Sequence, residues 1–499
     1  MRLRVGLWLA MALAIVRPAH GQFEAPLLSK VFPNLVNPGG KSLAMGGAFV
    51  ALADDATAAF ANPAGLPALG SWELGMSGKN FLFKPKLSTD NFLENPAGTL
   101  TPQGSYLSEP TGGATELEYA SLVIPIVENL TFAAYRAVNL RYRLDASDLV
   151  GGNYRAFYVN RGGASSLSFD EQGGVDLGSE VYGASLGARL SKVLSIGGGV
   201  TLSRLRYDLT GGSAGGGHLV IANADNGIRT NDPSAPRIDA TVSASVASGT
   251  KAGWIAGFKL DLAEAPRLSV GGVYRKSPRF DVGYSLSAVY PAYGTRVSFS
   301  CGVDDPSVPG SGASACGSFK VPDDWSIGLS ISPLHQLTVV AEVQRVLYSQ
   351  FNDGYVPLFT YTACPEAAGA GCTAGQAVRA ISKGSSDDGT VPRLGAEYTL
   401  EFSSGTQLSL RGGWYREPAH GTKISFYPQA NRQPASGTPV VLVNPPFSQA
   451  FATSFDGGQA ESHGSFGVGL VLGRFLAVDV AADLAKTSRQ LVVSAFLRL

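Results

Sequence analysis

The side chains able to do acid–base or nucleophilic work are few and scattered. Beyond the first twenty residues the histidines are His218, His335, His420 and His463. None of them is joined by a serine and a carboxylate in the order that a hydrolytic triad uses. No Gly-x-Ser-x-Gly elbow stands ahead of a helical stretch. The glycine runs at 197–199 and 211–217 lack the Gly-Lys-Ser/Thr ending of a phosphate loop. The cysteines form two local pairs, Cys301 with Cys316 and Cys364 with Cys372, each bracketing loop-like sequence. Their spacing fits no zinc pattern and no histidine lies close to either pair, so they read as two disulfides, Cys301–Cys316 and Cys364–Cys372, that restrain loops. These residues point away from an enzyme and call for no cofactor and no metal.

The elements that hold such residues must be built outside the cytoplasm. Arg2 and Arg4, the twelve-residue apolar run from Val5 to Val16 and the small-x-small junction Ala19-His20-Gly21 have the three parts of a secretory signal. The run is too short to span a bilayer as a helix. No cysteine follows the junction, which argues against a lipoprotein anchor. The rest of the chain has no stretch of eighteen consecutive apolar residues, yet 44% of all residues are hydrophobic and only 16% charged, against about a quarter charged in soluble domains. An exported, apolar chain with no membrane helix reads as an outer-membrane barrel or a secreted β-protein. Its formal net charge of zero gives no reason to expect nucleic acid as a partner.

Alternation with a period of two recurs from Trp72 to the end. Leu491, Val493, Ala495, Leu497 and Leu499 share one face of the last strand, with Ser494 and Arg498 opposite. Leu476, Val478, Val480, Ala482 and Leu484 alternate with Asp479 and Asp483 in the same way. The strands are long enough for tilted membrane spans, and Trp72, Trp325 and Trp414 fall on the apolar face, as an interfacial girdle requires. Short turns near 128–129, 191–192, 263–266, 333–336, 403–405 and 473 alternate with long connections. That is the pattern of short periplasmic turns and long outer loops. Fourteen strands are expected, starting near residues 70, 114, 128, 176, 192, 249, 266, 319, 335, 389, 405, 460, 474 and 490. The segment 283–290 is either a strand extension or loop structure. The fold class is all-β: a transmembrane antiparallel barrel of about fourteen strands.

Residues 37–66 carry the most specific signal. A small-residue run at 42–47, the acidic pair Asp54-Asp55 and the tripeptide Asn62-Pro63-Ala64 follow one another there. This stretch resembles the amino-terminal plug of the FadL/TodX family, outer-membrane channels for long-chain fatty acids and other hydrophobic molecules. The resemblance implies a signal peptide over 1–21, a luminal plug or hatch over 22–68 and a barrel over 69–499. It implies gating roles for Asp54, Asp55, Asn62, Pro63 and Ala64: the acids bond to inward cations or backbone donors, and Asn62 fixes a turn ahead of the rigid Pro63. It also implies passive uptake of fatty acids or hydrocarbons by a monomer in contact with outer-membrane lipid, with lateral exit through the wall into the bilayer. Two other readings stay open: a similar barrel serving as a secretion or surface-assembly partner, and a general porin.

One residue breaks the pattern. If alternation ran unbroken, Arg136 would sit among Leu130, Phe132, Ala134, Val138, Leu140 and Tyr142 on the lipid face. A charge there costs roughly 2–4 kcal/mol near the bilayer midplane. Either the side chain snorkels to the headgroups or a bulge near residues 134–137 turns it away. The family resemblance implies an inward kink in this third strand that forms the lateral opening, with Ala134 and Arg136 at its edge.

Overall fold

The computed structural model describes residues 36–499 apart from 85–86, 95–99, 109–110, 146–155, 161–162, 168–170, 214–219, 224–238, 246–248, 291–294, 302–316, 351–360, 366–378, 403–404, 420–422 and 430–459. The expected signal peptide, the first part of the expected plug (22–35), Cys316 and Cys372 lie outside the described residues.

Fourteen antiparallel strands form the wall. In chain order they are β1 (Glu73–Phe83), β2 (Gly112–Val127), β3 (Leu130–Asp145), β4 (Glu171–Arg189), β5 (Leu194–Ser213), β6 (Lys251–Glu264), β7 (Arg267–Lys276), β8 (Asp324–Leu334), β9 (Leu337–Val346), β10 (Gly389–Glu401), β11 (Gln407–Glu417), β12 (Glu461–Leu472), β13 (Leu476–Leu484) and β14 (Ser488–Arg498). Each observed start lies within five residues of the expected one. Consecutive strands pair as neighbours, and β1 pairs with β14 from Glu73↔Arg498 to Phe83↔Ser488, which closes the sheet on itself. Closure removes the two free edges that an open sheet would present to lipid.

The two faces of this wall invert the usual core rule. On β14, Leu491, Val493 and Leu497 are 41–47% exposed on the outside, while Val492, Ser494 and Phe496 are buried inside. Trp254, Trp325 and Trp414 also point outward. No helix among the described residues is long and apolar enough to cross a membrane.

The connections at one end are more structured than loops. Arg279–Tyr290 continues the course of β7, settling the ambiguous 283–290 stretch as strand, and pairs with Asp239–Ser245, Thr295–Cys301 and Gly317–Lys320. Leu87–Glu94, Leu100–Ser108, Ala156–Asn160, Gly163–Leu167 and Val220–Asn223 make a separate five-stranded sheet.

Residues 36–69 form a short helix α1 (Gly40–Ala44), a single helical turn α2 (Ala58–Ala61) and a 3-10 turn (Pro63–Ala68). α1 packs on β11, β12, β13 and β14, α2 on β3 and β4, and the 3-10 turn on β3, β4, β5 and β6. A segment touching strands all around a closed ring, and itself almost wholly buried, occupies the inside of that ring. Small residues make this approach possible. Gly46 has φ +67°, and a Cβ there would lie 2.7–2.8 Å from the Leu394 and Trp414 carbonyl oxygens, so both its backbone shape and its space demand glycine.

Candidate functional site

The wall grips the inner segment through its backbone. Glu342 accepts from the amides of Phe49 and Val50 at 2.9 and 3.0 Å, and Glu73 accepts from the amide of Ala56 at 2.9 Å. Arg275 donates to the Phe60 and Ala61 carbonyls and to Asn37 Oδ1 while it pairs with Asp324 at 2.7 Å. Lys259 donates to the Leu52 carbonyl, Arg393 to that of Gly46, and Tyr119 to that of Ala56. These inward charges are stabilised chiefly by orphan peptide groups of a segment too short to satisfy its own.

Asp54 and Asp55 have different partners. Asp54 Oδ2 meets Lys41 Nζ at 2.8 Å, and Lys41 reaches Glu397 at 3.6 Å, whose carboxylate pairs with Arg411, itself paired with Asp479. Burial opposes the charge on both Asp54 and Lys41. Their mutual attraction outweighs it, holding the Asp54 carboxyl below the ordinary range and the Lys41 ammonium above its own. The cation facing Asp54 therefore comes from the inner segment itself, and Lys41 is a site residue that sequence reasoning missed. Its offset of thirteen positions from Asp54 has no local periodicity to reveal it. Asp55 turns back on its own chain and accepts from the Thr57 amide at 2.8 Å and from the Thr57 hydroxyl. Burial, then the charge of Asp54, pushes its carboxyl up to about 7.

Asn62 joins three elements. Its Nδ2 donates to the carbonyls of Val50 and, on β6, Phe258 at 2.9 and 3.0 Å, while its Oδ1 accepts from the Ala64 amide at 3.2 Å. Pro63 starts the 3-10 turn, where its missing N–H leaves nothing unsatisfied. Ala64 is buried with its backbone against Gly197 of β5, where a Cβ on the glycine would lie 2.3 Å from the Ala64 nitrogen.

The wall is interrupted between β2 and β3. Their register runs from Val127↔Leu130 to Tyr119↔Ala137 and resumes only at Gly112↔Leu144. Residues 113–118 and 138–143 are unpaired with each other, though β2 keeps β1 and β3 keeps β4. The bulge on β3 lies between Val138 and Leu140, not at the expected 134–137. Ala134 and Arg136 remain paired on both sides, Arg136 with Ala120 and Tyr182. The extra residue, Asn139, reverses the facing beyond it. Leu140 and Tyr142, expected on the lipid face, stand opposite Ser179 and Leu177 and are fully buried.

Arg136 sits at the edge of this interruption. It donates to the carbonyl of Leu117, one of the β2 residues left without a β3 partner, and pairs with Glu180 at 2.7 Å. Its side chain is 24% exposed. The charge is tolerated on the outer face because it is neutralised there and caps a carbonyl that lipid could not solvate. Arg141 bridges the gap further along, 2.7 Å from Asp176 and 3.6 Å from Glu116.

Two cavities adjoin the inner segment. One of about 60 Å³ is bounded by Val36, Lys79, Arg393, Tyr415 and His463. His463 stacks on Tyr415 and bonds to Asp483 at 2.9 Å; no nucleophile joins them among the described partners. The other, of about 40 Å³, is bounded by Phe60, Tyr135, Asn139, Val181 and Ile255. It reaches the bulge residue of β3. Both are smaller than the roughly 150 Å³ apolar cavity that admits benzene. The described cysteines, Cys301 and Cys364, lie on strands outside the wall, away from this site.

A family model described as outer membrane protein transport protein (OMPP1/FadL/TodX) matches residues 34–424. Among solved structures, a FadL homologue from Pseudomonas aeruginosa superposes with a TM-score of 0.54 at 14% identity, covering 94% of this chain and 99% of the other. The toluene transporter TodX of P. putida superposes with a TM-score of 0.51 at 15% identity, covering 93% and 99%. At such identities the likeness speaks for the fold. No curated protein sequence matches this one.

Proposed function

The chain belongs to the OMPP1/FadL/TodX family of outer-membrane transport proteins, and from that membership we propose that it carries small hydrophobic molecules, fatty acids or hydrocarbons, passively across the outer membrane. The observation that carries this reading is the unpaired stretch between β2 and β3 beside an otherwise closed wall. An apolar solute gains nothing by crossing a wet, charged lumen and keeps its transfer free energy by leaving sideways into lipid. The cavity that reaches Asn139 gives such a route an inner end. The inner segment acts as the gate. The segment packs against strands all around the ring and is almost wholly buried there, so passage requires it to shift. The Lys41–Asp54–Glu397 contacts and the Asn62 bonds are those that a shift would break.

Uptake of radiolabelled oleate and toluene by cells expressing the protein tests the reading. We expect accumulation several-fold above vector-only cells. Asn139→Trp, which fills the inner end of the gap, lowers uptake at least tenfold while the barrel keeps its heat-dependent gel mobility. No gain over vector-only cells for either probe overturns the function. Full uptake through folded Asn139→Trp overturns the lateral route alone.

A further inference from the structure

Five cations from five different strands face outward toward one edge of the barrel wall. Register places them. Lys276 of β7 pairs directly with the outward Trp254, and Arg345 of β9 with the outward Trp325. Arg416 follows Trp414 by one outward step on β11, Arg204 follows Leu202 on β5, and Arg489 precedes Leu491 on β14. Arg204, Lys276, Arg416 and Arg489 are exposed. Among the described residues, carboxylates share the zone: Glu180 opposite Arg204, Asp388 3.9 Å from Arg345, and the exposed Asp387 next to it.

The level is that of the tryptophans, which mark the headgroup layer, and it is the edge from which the long connections leave. With short turns on the periplasmic side, this is the outer leaflet. Outward positions toward the other edge include Leu262, Leu334, Phe402 and Leu499. A residue whose only task was to end an apolar band could be any polar type. Arginine and lysine repeated around the circumference beside indoles instead match fixed negative charge, and guanidinium suits phosphate oxygens in bidentate geometry.

We propose that this belt binds the phosphate groups of anionic lipid in the outer leaflet, fixing a shell of phosphorylated glycolipid around the barrel. The proposal does not depend on what the barrel carries. The test uses the full-length mature protein in mixed micelles holding bis-phosphorylated lipid A and phosphatidylcholine in equal amounts, with co-purifying lipid quantified by mass spectrometry. The wild type should retain lipid A over phosphatidylcholine at least tenfold at 50 mM NaCl, and less at 500 mM, as screening requires. Replacing Arg204, Lys276, Arg416 and Arg489 together by Gln should abolish the preference, and R204K/R416K/R489K should keep most of it. Equal retention of the two lipids by the wild type, or an unchanged preference in the folded Gln variant, overturns the proposal. If the Gln variant does not fold, the wild-type preference and its salt dependence decide the matter, because both must be present.

Discussion

Single residues here work by matching buried charge to orphan backbone. Asp55 shows what that does to protonation. Its carboxyl sits at about 7 in the folded protein, against about 3.9 when free. The folded state therefore holds this proton more tightly than the unfolded chain does. The associated stability is fully present below pH 4 and is lost as pH rises toward 7. We expect the midpoint of the heat-induced gel shift to fall between pH 4 and pH 7. Asp55→Asn, which keeps an acceptor for Thr57, should flatten that decline, and an unchanged profile in the variant would exclude Asp55 as its source. Arg136 gives a second prediction. Removing it takes from Glu180 its ion-pair partner, so Arg136→Gln and Glu180→Gln should each destabilise the barrel, and the double variant by less than their sum. Denaturant unfolding should report a coupling of about 1 kcal/mol, since both side chains are partly exposed. Additive losses would mean that the pair contributes nothing.

At the scale of elements, the sheet that continues β7 constrains how the cysteines can close. Cys301 ends its strand opposite Tyr284, and Gly317 begins the next opposite Val282. The chain thus leaves and rejoins the same strand edge two positions apart. Cys364 lies opposite Arg296, five positions along that strand from Cys301. At about 3.4 Å per residue this is roughly 17 Å, beyond the ~7 Å that a disulfide tolerates between Cα atoms. Non-reducing peptide mapping should therefore find Cys301–Cys316 and Cys364–Cys372, and a Cys301–Cys364 link would contradict the strand register itself. The same logic of register governs β3. One inserted residue, Asn139, reverses the side chains after it and separates β3 from β2, while Arg136 and Arg141 compensate some of the exposed polar groups.

For the molecule as a whole, closure and filling are separate properties. The wall closes through β1 and β14 with no help from residues 36–69, and that segment adds no strand to it. Deletion of residues 22–68 should therefore leave a folded barrel. Without the segment, the inward charges Glu342, Arg275, Arg393 and Lys259 lose their backbone partners and line a wet lumen. In planar bilayers the truncated protein should conduct ions as an open pore, and the intact chain very little. Failure of the truncated chain to assemble would show that the segment takes part in forming the wall.

The sequence by itself determined the class of the molecule. Period-two alternation and regularly spaced turns depend only on neighbours along the chain, so they marked fourteen strands to within five residues, and residues 37–66 pointed to the family. What it left undecided is non-local. The partner of Asp54 is Lys41 because the folded segment brings them within 2.8 Å inside a wall that screens neither from the other. The bulge at Asn139 is invisible to alternation, since an extra residue shows only when the neighbouring strand fails to match it. Arg204, Lys276, Arg345, Arg416 and Arg489 are spread over nearly three hundred positions. They become one belt only when strand register and barrel closure bring them to one edge of the wall, a matter of hydrogen-bonded pairing between strands that no single stretch of chain encodes.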